Sequence, residues 1–204
     1  MRFFAPVVVF VVAAVLAGGA YVLAGAYDVA ASHPRWALTA WVLDETMEKS
    51  VRRHAASITV PPLEDGAQIR TGYQHYKAMC EMCHGAPGVE PSELARGLEP
   101  TPPLLYEDDD DDSDEEPWTA AELFWITKHG IKMTGMPAWG PTHTDKEIWA
   151  MVAFLEKLPH LTAQEYSTFN AAGGEPSAHH HDDADSHEHD AARELAPRAA
   201  QTRP

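Results

Sequence analysis

The sequence lacks most of the residue patterns that define common catalytic and binding sites. Its 204 residues include only two cysteines, so no second cysteine pair exists to complete a four-ligand structural zinc site. No hydrolytic triad, phosphate-binding loop or nucleotide-binding fingerprint occurs anywhere in it. No strand-rich pattern surrounds the cysteines, which argues against a thioredoxin-like redox pair.

Basic residues are also scarce, and the excess of acid is localised. Lys and Arg number 15 against 31 Asp and Glu, for a formal charge of -16. Residues 107–116 contain nine acids and no base, and residues 170–204 contribute a further -4. The remainder carries about -3 and is nearly balanced. This distribution argues against a nucleic-acid partner and leaves proteins with basic docking surfaces, or cations, as candidate partners.

What is present is a short motif, Cys80-Glu81-Met82-Cys83-His84. Two cysteines three positions apart, followed at once by histidine, are the attachment signature of a c-type haem. Each thiol can add to one vinyl group of the porphyrin, and His84 is then placed to bind the iron. A structural disulfide would also use both thiols, but it would leave His84 unexplained. We therefore predict one haem c, held covalently by Cys80 and Cys83 and ligated by His84.

A ligating imidazole needs a hydrogen-bond acceptor for its second nitrogen. The turn Gly85-Ala86-Pro87-Gly88 follows His84 directly. We predict that the backbone carbonyl of Pro87 is this acceptor, with an ordinary turn proline as the alternative.

A second axial ligand is predicted about 50 residues after the motif. Met136 lies between Gly135, which frees the adjacent backbone, and Pro137, which stiffens it. A thioether opposite histidine raises the haem potential. Met133 is expected to be core packing instead.

The amino-terminal segment is uncharged from Phe3 to Tyr27. As a helix it would span roughly 37 Å, more than the ~30 Å hydrocarbon core of a bilayer. We favour a retained single-pass anchor in the bacterial inner membrane, with the haem domain in the periplasm. The alternative is a soluble periplasmic protein after signal cleavage near Ala26. Either way the haem motif is exported, and c-type haem is attached outside the cytoplasm in bacteria.

The chain divides by composition into four parts. Residues 1–27 are the anchor or signal. Residues 28–65 form a juxtamembrane helix and linker, with a helix start at Ser32 and Pro34 and a stop at Pro61-Pro62. Its apolar stripe is expected to pack on the haem domain or the bilayer surface, with docking to a membrane partner as the alternative. Residues 66–166 are the haem domain, including the acidic loop 107–116, and residues 167–204 are a disordered His/Asp-rich tail.

The haem domain is predicted to be all-α. Capping boxes begin helices at Thr119 with Glu122 and at Thr144 with Glu147. In order, the CxxCH-Gly motif, Pro87-Gly88, the Met136-Pro137 loop and an aromatic carboxyl-terminal helix resemble a class I mono-haem cytochrome c of the membrane-anchored proteobacterial type. That resemblance implies three to four helices around one covalently bound haem, with the first and last helices crossing near Gly72 and Tyr76. It also implies that Met136 is the sixth ligand.

Two protein ligands on the iron would leave no open position for a substrate. The expected function is therefore that of an electron carrier and not an enzyme. It would be a tethered shuttle, or a subunit passing electrons from a dehydrogenase or quinol-oxidising complex to a terminal acceptor. One alternative is a haem-based sensor in which a small ligand displaces Met136. Another is loose Zn, Cu or Ni binding by the tail through its histidines: His179, His180, His181, His187 and His189.

Overall fold

A computed structural model describes residues 4–107 and 117–172. The predicted acidic loop, except for Glu107, and residues 173–204 of the predicted tail lie outside the described residues. Residues 167–172, predicted as the start of the disordered tail, are helical and end the last described helix. The helices are α1 (Phe4–Leu23), α2 (Ala37–Ala55), α3 (Gly66–His75), α4 (Glu81–His84), α5 (Glu93–Arg96), α6 (Ala120–His129), α7 (Asp145–Leu155) and α8 (Ala163–Ala172). The described ranges contain no strand. The all-α prediction is confirmed.

Local sequence signals account for several helix starts. Both predicted capping boxes form: the backbone N–H of Thr119 donates to Glu122 at 2.8 Å, and that of Thr144 donates to Glu147 at 2.7 Å. The predicted start of α2 at Ser32 and Pro34 is wrong. α2 begins only at Ala37, because Trp36 before it is not helical and has ψ of 135°. A separate turn lies upstream, where the Asp28 side chain accepts the N–H of Ala30.

The main contact of the domain is the crossing of α3 and α7. A Cβ built on Gly72 would lie 1.9 Å from the carbonyl oxygen of Ala150, so the two backbones touch. Beside this point the rings of Tyr73 and Tyr76 each lie 5.4 Å from that of Phe154. The crossing near Gly72 and Tyr76 that the resemblance implied is confirmed.

A second contact joins the end of α2 to the rest of the helical domain. Val51 and Ala55 are buried, at 1% and 2% exposure. The guanidinium of Arg52 lies 5.9 Å from the centre of the Trp118 ring, and the ring of His54 stacks on Trp125 at 5.4 Å. The second half of α2 is therefore part of the same core as α6.

The first helix has a different character. In the part of the chain that the structure describes, Ala5–Leu23 is the one helix that is long and apolar enough to cross a membrane, and none of it is buried. Its length and apolarity make this helix a candidate membrane anchor. A cleavable signal sequence has the same composition.

Candidate functional site

The CxxCH motif lies at the end of a nearly continuous helical segment. A π-helical turn, Tyr76–Cys80, links α3 to α4, and such turns are often found at functional sites. Both thiols are partly buried, and they are not joined in a disulfide. Burial, together with the nearby Cys83, raises the pKa of Cys80 to about 12. The arrangement presents two separate thiols on one helical turn.

The ring of His84 is fixed through one nitrogen. Its Nδ1 lies 2.8 Å from the carbonyl oxygen of Pro103, which accepts the Nδ1 proton. This tautomer leaves Nε2 with a free lone pair. Burial lowers the pKa of His84, although the hydrogen bond to Pro103 opposes the shift. A neutral imidazole oriented by a backbone carbonyl is the form that ligates a metal.

The acceptor is not the one predicted from sequence. Pro103, 19 residues from His84, takes the place assigned to Pro87. Pro87 lies in a tight turn closed by mutual backbone hydrogen bonds between Ala86 and Val89, and it lines a small cleft of about 200 Å³. The sequence did contain a signal for this acceptor in the run Thr101-Pro102-Pro103. Extended proline-rich segments make no internal hydrogen bonds, so their carbonyls are free to accept from other parts of the chain.

Tyr76 holds the motif against α3, a role that the sequence analysis missed. Its hydroxyl donates to the carbonyl of Gly85 at 2.6 Å, and its side chain is only 1% exposed. Burial strongly raises the pKa of Tyr76 and keeps the phenol neutral. A second tie comes from Glu81, inside the motif, which accepts the hydroxyl hydrogen of Tyr166. Tyrosines on both sides thus orient the turn that carries His84.

The Met136 loop folds back onto the end of α6. The N–H of Ile131 donates to the carbonyl of Met136 at 3.2 Å, and the N–H of Met136 donates to the hydroxyl of Thr134 at 3.1 Å. Gly130 has φ of 62°, and a Cβ there would come within 2.8 Å of the Met136 carbonyl oxygen. Only glycine fits both the positive φ and this close approach. The backbone beside Met136 is therefore firmly held.

The two methionines of this loop differ in environment. Met136 is half-buried, whereas Met133 is 80% exposed and has φ of 62°. The prediction that Met133 packs in the core is wrong. Gly135 is needed because it leaves room for the side chain of Leu98, and not for backbone flexibility as predicted. A Cβ at residue 135 would lie 2.6 Å from Leu98. Leu98 precedes Pro103 in the same loop, so one segment lies against both the CxxCH motif and the Met136 loop.

These residues match what a c-type haem requires. They comprise two thiols on one turn, an imidazole with one nitrogen fixed and the other free, and a thioether on a separate, braced loop. Histidine and methionine are established axial ligands of c-type haem, and thioether bonds need two cysteines. The donor set fits haem c.

A comparison with known families settles the class of this domain. The family model described as "Cytochrome C oxidase, cbb3-type, subunit III" matches residues 67–155, which include both the CxxCH motif and the Met136 loop. This stretch is a c-type cytochrome domain. The resemblance predicted from the sequence is confirmed for the cytochrome domain, while the match does not extend to the apolar amino-terminal helix. Cytochrome domains of this class bind haem c and transfer electrons through it. No curated protein and no solved structure matches the chain significantly.

Proposed function

We propose that this protein is a membrane-anchored electron carrier with one haem c, attached through Cys80 and Cys83. When bound, the haem supplies reversible one-electron exchange at its iron. The observation that carries the proposal is the hydrogen bond from His84 Nδ1 to the Pro103 carbonyl. It orients the imidazole and leaves Nε2 as the first axial ligand.

Met136 is the proposed second axial ligand. Its backbone is held on both sides, by Ile131 and by Thr134, so the loop presents the thioether from a fixed point. A thioether bound to the iron from this point would occupy the position that an exchangeable ligand needs. This favours electron transfer over sensing of a small ligand.

The proposed location of the cytochrome domain is the periplasmic face of a bacterial inner membrane. Support comes from Ala5–Leu23, whose 19 apolar residues would span about 30 Å, the thickness of the hydrocarbon core. The matching family's description names a subunit of a terminal oxidase. We therefore propose that the electron acceptor to test first is an oxidase of that kind. This protein would be either a subunit of the oxidase or its electron donor.

Visible spectroscopy of the purified holoprotein tests this function. The oxidised wild type should be low-spin and show the weak far-red band of methionine bound to ferric haem. The reduced wild type should not bind carbon monoxide. Met136→Ala should lose that band and bind carbon monoxide. Met133→Leu is the matched control in the same loop, and it should behave as the wild type because Met133 is exposed.

Three results would overturn the proposal. If the reduced wild type binds carbon monoxide readily, the iron has an open position and a sensor becomes the better interpretation. If Met136→Ala keeps the far-red band, another residue is the sixth ligand. Haem that separates from the polypeptide on denaturation would refute attachment through Cys80 and Cys83.

A further inference from the structure

The first half of α2 carries an exposed apolar surface. Leu38, Trp41 and Val42 are 70%, 62% and 45% exposed. They are three and four residues apart, so they lie together on one side of the helix. We call these three residues the α2 face. The buried residues Val51 and Ala55 come later in the same helix, so the packing of α2 on the cytochrome domain leaves this face uncovered.

Beyond the α2 face, the same side of the helix becomes charged within two turns. The next positions on the same side of the helix are Glu45 and Lys49, which form an ion pair with each other. An apolar turn followed by a charged one is the pattern of a helix that leaves a lipid surface for water. The charges of Glu45 and Lys49 cancel, so this ion pair adds no net attraction to anionic lipid.

The α2 face also begins close to the end of the apolar helix α1. Thirteen residues separate Leu23 from Ala37. The ring of Trp36, at the start of α2, lies 6.1 Å from that of Tyr21 in α1 and 5.4 Å from that of Tyr27. Tryptophan and tyrosine are enriched where a membrane span meets water. This aromatic cluster places the first turns of α2 beside the end of α1.

The cytochrome domain is attached to α2 at both ends of that helix. Next to the first turn, Arg35 pairs with Glu99 at 3.2 Å, and both side chains are less than one-third exposed. At the last turn, Val51 and Ala55 are buried in the domain. The position of α2 therefore sets the position of the cytochrome domain.

We propose that the α2 face inserts into the headgroup and upper acyl region of a lipid bilayer and holds the cytochrome domain against the membrane surface. This inference rests on the proposed anchoring by α1. A domain held in this way donates electrons to neighbours in the same membrane and does not swing on a flexible tether. Insertion of apolar side chains makes the attachment independent of salt and of anionic lipid.

Spin labels on the full-length holoprotein in phosphatidylcholine nanodiscs test this attachment. The chain has two cysteines, both committed to haem, so an introduced cysteine is the one free thiol. Leu38→Cys and Val42→Cys probe the α2 face. Lys49→Cys is the matched control on the same side of the helix, and Val15→Cys, at a residue 68% exposed on α1, reports on the anchor.

Nitroxides at positions 38 and 42 should collide more with oxygen, which dissolves in lipid, than with a water-soluble nickel chelate. The oxygen-to-nickel ratio there should be several-fold above the ratio at position 49, and high salt should not change it. If positions 38 and 42 are as open to nickel as position 49 while position 15 is in lipid, the anchor stands and the α2 face proposal fails. If position 15 is also open to nickel, or has been cleaved from the mature chain, both proposals fail.

Discussion

The crossing of α3 and α7 makes a sharp prediction for Gly72→Ala. An alanine Cβ would lie 1.9 Å from the carbonyl oxygen of Ala150 and 2.9 Å from Cβ of Phe154. The first distance is about 1.5 Å short of the 3.4 Å at which ordinary contact begins. These atoms belong to backbone or to the base of a side chain, so neither can swing aside. The helices would have to separate.

Two opposing effects set the size of the change. Replacing glycine by alanine inside a helix stabilises it by about 1 kcal/mol. Overpacking a tight contact costs about 1–3 kcal/mol, and the upper end applies here because the clash is with backbone. We expect a net loss of about 2 kcal/mol, which for a domain of ~100 residues lowers Tm by roughly 8–16 °C.

Thermal unfolding of the holoprotein, followed by helical circular dichroism and by the haem absorption band, measures this loss. Gly66→Ala is the matched control, because Gly66 is in the same helix and a Cβ added there would meet nothing within 4 Å. It should leave Tm unchanged or slightly raised. Equal Tm values for the two variants would contradict the close crossing of α3 and α7.

Three further predictions concern two buried hydroxyls and a helix cap. Tyr76→Phe removes the donor to Gly85 and leaves a buried carbonyl unpaired, so it should cost about 1–3 kcal/mol in urea unfolding. Tyr73→Phe should be nearly neutral at pH 7, because the Tyr73 hydroxyl is buried without a hydrogen-bond partner among the described residues. Burial raises the pKa of Tyr73 from 10.0 to about 12, so the wild type should lose stability as the pH rises through this interval, and Tyr73→Phe should lose less. Matching losses in the two Phe variants at neutral pH would argue against these assignments. Thr144→Ala should cost about 1 kcal/mol by removing the cap of α7. Hydrogen bonds from the backbone and then the hydroxyl of Thr144 lower the pKa of Glu147 below 4.5. Thr144→Ala keeps the backbone bond and loses the hydroxyl bond, whose stabilisation is present above pH 4.5 and is lost as the pH falls below it. The gap in stability between the wild type and Thr144→Ala should therefore narrow in acid. A gap that is constant with pH would show that the cap does not act through Glu147.

Features that depend on neighbouring residues were predictable. The CxxCH motif, the all-α class and the capping boxes at Thr119 and Thr144 each rest on residues within a few positions of one another. Local geometry leaves such patterns few alternatives, since a cap needs its acceptor three residues from its donor. The roles of the haem-binding residues remain predictions, and the spectra described above test them.

Features that depend on the path of a loop were not predictable. Pro87 was closer in sequence to His84, yet Pro103 accepts its proton because the 98–103 loop returns beside the motif. Met133 was expected to be buried, but it lies on the outside of a loop that is anchored through its neighbours.

The sequence by itself determined that one helical turn carries two thiols and a histidine, because covalent order and helix geometry place them together. It also determined the composition of α1, which suits lipid. Only the tertiary structure decided which carbonyl orients His84, which tyrosine braces the motif and which side of α2 stays uncovered. These depend on contacts between segments far apart in the chain, such as Arg35 with Glu99. Packing of the whole domain selects such contacts, and no short stretch of sequence encodes them.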